Sequence, residues 1–245
     1  MASEQVAFIT GGNKGIGLET ARQLGKQGIK VVIGSRDKER GAAAVQKLKS
    51  DGVDAAFIKF DVTDAADYQA AYDYFDNHYG KLDILINNAG ISLDDFMGGN
   101  KTSSTAADSL RKTFDTNFFA VVAITQALLP LLRKAPAGRI VNLSSILGSN
   151  TLHATPGSPI YEAKAFGYDA SKAALNSFTI HLAHELKGTK IKVNSAHPGW
   201  VKTDMGTDAA PMELPDGART SVRLATLPDD GPTGGYFHMN DALPW

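Results

Sequence analysis

The chain has 245 residues, of which 43% are hydrophobic and 21% are charged, and its formal net charge is −1. Proteins that coat nucleic acid or adhere to membrane surfaces work through a large basic excess, so this charge balance argues against both kinds of partner. Cysteine is absent, which excludes disulfides, thiolate catalysis and cysteine-based metal sites.

Short apolar runs alternate with helical patterns from the first residues to the last. The predicted strands are Val6–Thr10, Lys30–Gly34, Asp54–Phe60, Leu82–Asn87, Arg139–Leu143, Lys190–Ala196 and Tyr236–Met239. The predicted helices are Ile16–Gln27, Lys38–Ser50, Ala65–Tyr79, Ser104–Arg133, Tyr168–Lys187 and Gly217–Thr226. The second and fourth strands are continuously apolar, which is typical of strands covered on both faces. The alternation predicts one α/β domain over residues 1–245, a doubly wound parallel sheet of about seven strands with helices on both faces.

Three longer stretches fit no strand or helix: residues 92–103, 146–167 and 204–216. They follow the predicted fourth, fifth and sixth strands, at the carboxyl edge where open α/β sheets bind ligands. Long loops at that edge are more often functional than incidental, so these three are predicted to wall a substrate pocket. Their large side chains could contact substrate or simply pack, and they are Phe96, His153, Tyr161, Trp200 and Met205.

The N-terminus and the most apolar segment bear on location. Met1–Gln5 is polar and acidic, whereas a signal peptide begins with a cationic region and continues with a longer apolar one. Phe118–Leu132 is interrupted by polar residues and by Pro130, and it is too short to span a bilayer. We therefore expect a buried core helix there, no membrane association and a cytoplasmic location.

The first predicted strand runs into a glycine-rich segment inside which a helix begins, Thr10-Gly11-Gly12-Asn13-Lys14-Gly15-Ile16-Gly17. Glycines allow the backbone to approach a pyrophosphate closely, and free N–H groups at the helix N-terminus meet its charge. An ordinary glycine-rich turn is the alternative. The position after the first strand of an alternating chain favours nucleotide binding.

The spacing T-G-x-x-x-G-x-G resembles the short-chain dehydrogenase/reductase family, and further motifs match that family in order along the whole chain. They are Asp61-Val62, Asn87-Asn88-Ala89-Gly90, Asn117, Ser144-Ser145, Tyr168-Asp169-Ala170-Ser171-Lys172 and Pro198-Gly199-Trp200-Val201-Lys202-Thr203. The resemblance implies a Rossmann fold that binds a nicotinamide cofactor. The long interval between Ser145 and Tyr168 and the segments Pro198–Met205 and Leu224–Gly235 resemble the carbonyl-reductase-like branch.

The resemblance also implies which residues contact the cofactor. They are Gly11, Asn13, Lys14, Gly15, Ile16, Gly17, Arg36, Asp61, Val62, Asn88, Ala89, Gly90, Tyr168, Lys172, Pro198, Gly199, Val201 and Thr203.

Two observations compete over the choice of cofactor. Asp37 lies 20 residues after Gly17, the spacing at which an acid binds the ribose hydroxyls of NAD. By resemblance, however, the acid that selects NAD is the last residue of the second strand, and Ser35 stands there. Arg36 and Lys14 supply two cations that suit a 2′-phosphate. The sequence therefore predicts NADPH/NADP+, with NADH as the less favoured cofactor.

Tyr168 and Lys172 are four residues apart and share one face of the predicted helix. A tyrosine has an ordinary pKa of about 10, and a neighbouring ammonium together with an oxidised nicotinamide is expected to lower it. By resemblance, Tyr168 donates a proton to the substrate carbonyl, Lys172 lowers the pKa of Tyr168, and Asn117 helps to hold a water. Ser145 polarises the carbonyl, with Ser144 as the alternative.

The predicted function is NADPH-dependent reduction of a ketone or aldehyde, with a small-molecule carbonyl substrate. A 3-oxoacyl-thioester reductase and a non-catalytic NADP(H)-sensing protein are the alternatives, although such sensors typically lack the tyrosine and the lysine. His181 and His184 do not form a zinc motif, and no metal site is predicted. A monomer and a homo-oligomer both remain open.

Overall fold

A mixed eight-stranded sheet forms the centre of the computed structural model, which describes residues 4–94 and 101–245. The strands are β1 (Val6–Thr10), β2 (Lys30–Ser35), β3 (Ala55–Lys59), β4 (Ile84–Asn87), β5 (Arg139–Leu143), β6 (Lys192–Ala196), β7 (Tyr236–His238) and β8 (Asp241–Ala242). Their order is β3-β2-β1-β4-β5-β6-β7-β8, and every neighbouring pair is parallel except β7 and β8. The order reverses between β1 and β4, and a crevice for ligands opens at such a point.

The helices lie on both faces of this sheet. They are α1 (Gly15–Gly25), α2 (Lys38–Ser50), α3 (Ala65–Tyr79), α4 (Ala107–Phe114), α5 (Ala120–Lys134), α6 (Asn150–Ala154), α7 (Phe166–Glu185) and α8 (Leu214–Ala225). A π-helical segment, Asp115–Phe119, joins α4 to α5, and short 3₁₀ turns cover Thr102–Ser104 and Ile146–Gly148. The predicted doubly wound α/β fold is confirmed.

Two apolar clusters cover the two faces of the sheet. Phe8 of β1 points into one cluster with Leu85 and Leu128, and its neighbour Ile9 points into the other with Leu24. Because successive side chains of a strand point to opposite faces, continuously apolar strands bury residues on both sides. This explains why the second and fourth predicted strands lack polar alternation.

Several predicted boundaries are wrong. The third strand ends at Lys59, so Asp61 lies two residues beyond its end. The sheet has an eighth strand, β8, because the chain folds back after Met239 into a two-residue antiparallel pairing too short to leave a sequence pattern. The helix predicted at Tyr168–Lys187 begins at Phe166, and α8 begins at Leu214 inside the third predicted loop. The second predicted loop contains α6, and part of the first, including Phe96, lies outside the described residues.

The predicted segment Phe118–Leu132 belongs to a longer helical run, Ala107–Lys134. By length and composition this run could cross a membrane, although core helices pass the same test. Leu128, Leu131 and Leu132 are fully buried in the core cluster that contains Phe8. The expectation that this segment is a buried core helix agrees with that packing.

Candidate active site

The glycine-rich segment turns sharply between β1 and α1. Gly11 and Gly15 have φ angles of +63° and +55°, which a side chain would make unfavourable. A Cβ on Gly17 would lie 2.5 Å from Asn88 Nδ2 and 2.8 Å from the carbonyl oxygen of Gly11. The residue before α1, Lys14, gives it no side-chain cap, so the first amides of the helix remain available to a ligand. This cradle fits a pyrophosphate.

Thr10 and Asn88 hold the glycine-rich segment against the end of β4. Thr10 Oγ1 accepts hydrogen bonds from the backbone N–H groups of Asn88 (3.0 Å) and Ala89 (3.1 Å). In return, Asn88 Nδ2 donates to the carbonyl oxygens of Thr10 (2.8 Å) and Gly11 (3.2 Å). The side chain of Asn88 is thus used for support. Thr10 was not predicted as a site residue, although it begins the glycine motif.

Asp37 has a structural role at the start of α2. It caps α2, and its side chain accepts the backbone N–H of Arg40 at 3.0 Å. Arg36 is exposed at the end of β2 and lies near Asp61. Hydrogen bonds from Thr63, with the charge of Arg36 as a weaker contribution, lower the pKa of Asp61. The arrangement leaves Arg36 free to face a phosphate and gives Asp37 a structural role.

Lys14 pairs with Asp204, a residue of the third predicted loop. The Nζ–Oδ2 distance is 2.5 Å, and both side chains are largely exposed. Thr203, the residue just before this loop, also approaches the glycine segment, and its Cγ2 lies 3.7 Å from where a Cβ on Gly15 would stand. Exposed ion pairs contribute little, so a phosphate could replace Asp204 as the partner of Lys14.

Tyr168, Ser145 and Lys172 meet at the carboxyl edge of the sheet. The Ser145 side chain lies close enough to the Tyr168 hydroxyl to lower its pKa. Lys172 Nζ lies 5.5 Å from the centre of the Tyr168 ring and donates to the carbonyl oxygen of Leu143 at 2.7 Å. All three side chains are buried. The structure therefore brings together three of the four predicted catalytic residues in one contact group.

Burial controls the titration of this group. It raises the pKa of Tyr168 to about 12, against the opposing effect of the Ser145 hydrogen bond, and it lowers the pKa of Lys172 to about 8. The predicted lowering of the Tyr168 pKa is therefore wrong for the cofactor-free protein. Desolvation of the tyrosinate outweighs any stabilisation by the ammonium. At neutral pH Tyr168 keeps its proton, as a proton donor must.

The two serines at the end of β5 have different surroundings. Ser144 is 2% exposed, and its hydroxyl lies near the hydroxyl of Tyr236. Ser145 is 9% exposed, lies beside Tyr168, whose pKa it lowers, and accepts the backbone N–H of Leu147 at 3.3 Å. This geometry favours Ser145 over Ser144 as the serine that reaches a substrate.

Asn117 lies in the π-helical segment and is fully buried. Its Oδ1 accepts the N–H of Ile91 (2.9 Å), and its Nδ2 donates to the carbonyl oxygen of Ile91 (2.8 Å) and to Ser171 Oγ (3.0 Å). The side chain is thus engaged with protein atoms. π-helical turns are frequent at functional sites, and this one fixes Asn117 against the end of β4.

Two carboxylates, Asp94 from a distant segment and Asp169 from α7 itself, bind the free backbone N–H groups at the start of α7. The residue before the helix, Ala165, has no side-chain acceptor. Asp94 Oδ2 instead accepts the backbone N–H of Tyr168 at 2.8 Å, and Asp169 Oδ2 accepts the N–H of Ala165 at 2.9 Å. Burial, helped by the nearby charge of Asp94, raises the pKa of Asp169 to about 7. Sequence reasoning missed both carboxylates: the role of Asp94 depends on a contact between distant segments, whereas Asp169 bonds locally to the backbone four residues before it.

The remaining pocket candidates divide into two groups. Trp200 and Met205 are 52% and 38% exposed and stay available to a substrate. Tyr161 lies in a turn under Lys164, whose Nζ is 5.1 Å from its ring centre, and His153 Nε2 bonds to the carbonyl oxygen of Leu147.

In the described part of the chain, no group of three or more His, Cys, Asp or Glu residues could hold a metal.

Comparisons with known proteins were made on sequence and on structure. The family model for short chain dehydrogenase matches residues 5–214. Carbonyl reductase [NADPH] 1 of Bos taurus is 33% identical, over 100% of this chain and 99% of its own. The structure of salutaridine reductase from Papaver somniferum is 32% identical, with a TM-score of 0.82 over 96% of this chain and 99% of that one. NADPH-bound carbonyl reductase from chicken fatty liver is 27% identical, with a TM-score of 0.85 over 99% and 100% of the two chains.

Proposed function

The chain belongs to the short-chain dehydrogenase family, in its carbonyl-reductase-like branch, and we propose that it reduces a ketone or aldehyde with NADPH, with Tyr168 as proton donor. One observation carries this proposal: Tyr168, Ser145 and Lys172 lie together in one buried group, with Lys172 Nζ 5.5 Å from the centre of the Tyr168 ring. A protein that only senses the cofactor has no need of that grouping.

NADPH would lie along the carboxyl edge of the sheet. The amides at the start of α1 would bind its pyrophosphate, and Arg36 with Lys14 would bind its 2′-phosphate. Lys172 and the segment Pro198–Thr203 would hold the nicotinamide end. Asp37 would take no part, since it caps α2. The relatives named for NADPH support this choice of cofactor.

When bound, NADPH supplies the hydride that the carbonyl carbon accepts. The chain's own residues would bind the substrate carbonyl oxygen and supply its proton. The side chains of Tyr168 and Ser145 lie beside each other, so their hydroxyls would both hydrogen-bond one carbonyl oxygen and stabilise the charge that develops there. Tyr168 then gives up its proton, and the ammonium of Lys172 stabilises the tyrosinate.

Several expectations from the sequence stay predictions. They concern the cytoplasmic location, the oligomeric state and the identity of the carbonyl compound.

The proposed function is tested by incubating the protein with NADPH or NADH and a panel of ketones, aldehydes and a 3-oxoacyl thioester. We expect loss of NADPH absorbance with a ketone or aldehyde, formation of the matching alcohol in equal amount, and slower turnover with NADH. Binding of NADPH without alcohol formation from any carbonyl compound would contradict the proposal.

A further inference from the structure

The peptide bond that follows Ser145 is held from both of its sides. Its carbonyl oxygen, that of Ser145, accepts a short hydrogen bond from Tyr236 Oη and a second bond from the N–H of Gly148 at 2.7 Å. Its N–H, that of Ile146, donates to His197 Nδ1 at 3.1 Å. Two side chains from other strands thus fix the orientation of one peptide unit.

Both side chains come from strands on the far side of β5. His197 directly follows β6, and Tyr236 lies in β7, which pairs with β6 through Ser195 and Ala196. The N–H of His197 donates to the carbonyl oxygen of Phe237 at 2.8 Å, so the two strands also hold these residues relative to each other. His197 and Tyr236 are 8% and 1% exposed.

Each side chain is itself held in place. The ring of Tyr236 stacks on Trp245 with centres 5.4 Å apart. The ring of His197 packs against His238, whose Nδ1 bonds to the carbonyl oxygen of His197 at 3.0 Å. Burial and the neighbouring His238 lower the pKa of His197 to about 3. His197 is therefore neutral at working pH, and its Nδ1 can act as an acceptor.

We propose that His197 and Tyr236 form a peptide clamp that aims the hydroxyl of Ser145 at the substrate carbonyl, so that both are positioning residues for the reaction. The inference rests on the proposed function, because it assigns the clamp a role in carbonyl reduction. Rotation of the Ser145–Ile146 peptide would turn the serine at the end of β5. Small misplacements of a reacting group can cost up to about a hundredfold in rate.

The clamp also links the serine to the cofactor segment. His197 Nδ1 lies 3.4 Å from the backbone nitrogen of Gly199, which begins the segment expected to hold the nicotinamide. Gly199 has a φ angle of +90°, and a Cβ there would lie 2.1 Å from the sulfur of Met212. One imidazole nitrogen therefore serves the serine and the cofactor segment together.

The test is a double-mutant cycle. Tyr236→Phe removes one hydroxyl and keeps the ring on Trp245. We expect it to lower kcat about 5- to 20-fold, with NADPH affinity and Tm nearly unchanged. In the Ser145→Ala background the same substitution should change the residual kcat less than about twofold, because no hydroxyl is left to aim. Equal losses in both backgrounds would overturn the clamp.

Two substitutions of His197 test whether an acceptor at the position of Nδ1 is what the reaction needs. His197→Ala removes the acceptor, whereas His197→Asn places an amide oxygen where Nδ1 stood. We expect the first to lose about tenfold or more in kcat and the second to recover most of it. Equal losses in the two variants would contradict the role assigned to Nδ1.

Amide hydrogen exchange, read by NMR at Ile146, tests the clamp without turnover. We expect the Ile146 amide to be protected in the unsubstituted protein, to exchange about tenfold faster in His197→Ala, and to be protected again in His197→Asn. Unchanged exchange in His197→Ala would overturn the clamp even in an active enzyme. Absence of carbonyl reduction by the unsubstituted protein would instead count against the proposed function, so the two failures are distinct.

Discussion

Replacing Lys172 by methionine should make the cofactor-free protein more stable while it abolishes turnover. Lys172 is 4% exposed, and burial lowers its pKa from 10.5 to about 8. That difference corresponds to about 3 kcal/mol of destabilisation while the lysine is charged. Methionine keeps much of the side-chain volume without the charge.

The stability gained by Lys172→Met is reduced by the loss of one hydrogen bond. The Lys172 ammonium donates to the carbonyl oxygen of Leu143 at 2.7 Å, and leaving that acceptor without its donor costs about 1–2 kcal/mol. The net stabilisation should be about 1–2 kcal/mol, which raises the Tm of a chain of this size by about 2–8 °C.

The pH dependence of folding stability tests separately that the charge of Lys172 destabilises the folded protein. Below pH 8 the lysine is charged in both folded and unfolded states, so its full cost is present. Between pH 8 and 10.5 the folded protein has lost this proton and the unfolded chain still binds it, so the stability contributed by Lys172 rises with pH. The advantage of Lys172→Met should therefore shrink above pH 8, reach zero about one pH unit higher, and reverse by pH 10.5, where only the lost hydrogen bond to Leu143 still counts.

Differential scanning calorimetry of the cofactor-free proteins from pH 6 to pH 10.5 measures this difference. Lys187→Met, at an exposed lysine just beyond the end of α7, is the control and should change the stability by less than about 0.5 kcal/mol. A lower Tm for Lys172→Met at pH 7, or a gain that does not depend on pH, would refute the reasoning.

Four further substitutions test the site. Arg36→Leu removes a charge-assisted contact of about 1.5–3 kcal/mol, so kcat/KM for NADPH should fall about 10- to 150-fold while that for NADH barely moves; equal losses with both cofactors in steady-state kinetics would contradict the phosphate contact. Gly17→Ala places a Cβ 2.5 Å from Asn88 Nδ2 and so displaces the support of the glycine-rich segment; the fluorescence-measured Kd for NADPH should rise at least about tenfold, and an unchanged Kd would refute the need for that support in cofactor binding. Ser145→Ala should lower kcat about a hundredfold and Ser144→Ala less than about threefold, and the reverse order would transfer the role to Ser144.

The parts of the fold that could be predicted from sequence are those with a local cause. Runs such as Val31–Ile33 are apolar because both faces of the sheet are covered. Burial on both faces therefore leaves a local pattern that the sequence shows directly. The strand β8 is two residues long and depends on pairing with β7. Its cause lies in tertiary contact, so no local pattern marks it.

The same distinction holds at the site. The glycine segment and the spacing of Tyr168 and Lys172 are local patterns, and the structure brings them to one edge. The roles of Asp94 and His197 depend on contacts across 74 and 51 positions of sequence, with Tyr168 and Ile146 respectively. The pKa of Tyr168 depends on burial, which only the assembled fold decides.

The central claim is that Tyr168 gives its proton to the substrate carbonyl, and the most direct test compares two tyrosines. Tyr168→Phe and the control Tyr161→Phe are assayed under matched conditions for alcohol formation and for NADPH affinity. The account predicts that Tyr168→Phe loses at least about a thousandfold in kcat with NADPH affinity within about twofold, and that Tyr161→Phe keeps most of its activity. Retention of more than about a tenth of kcat by Tyr168→Phe would contradict it.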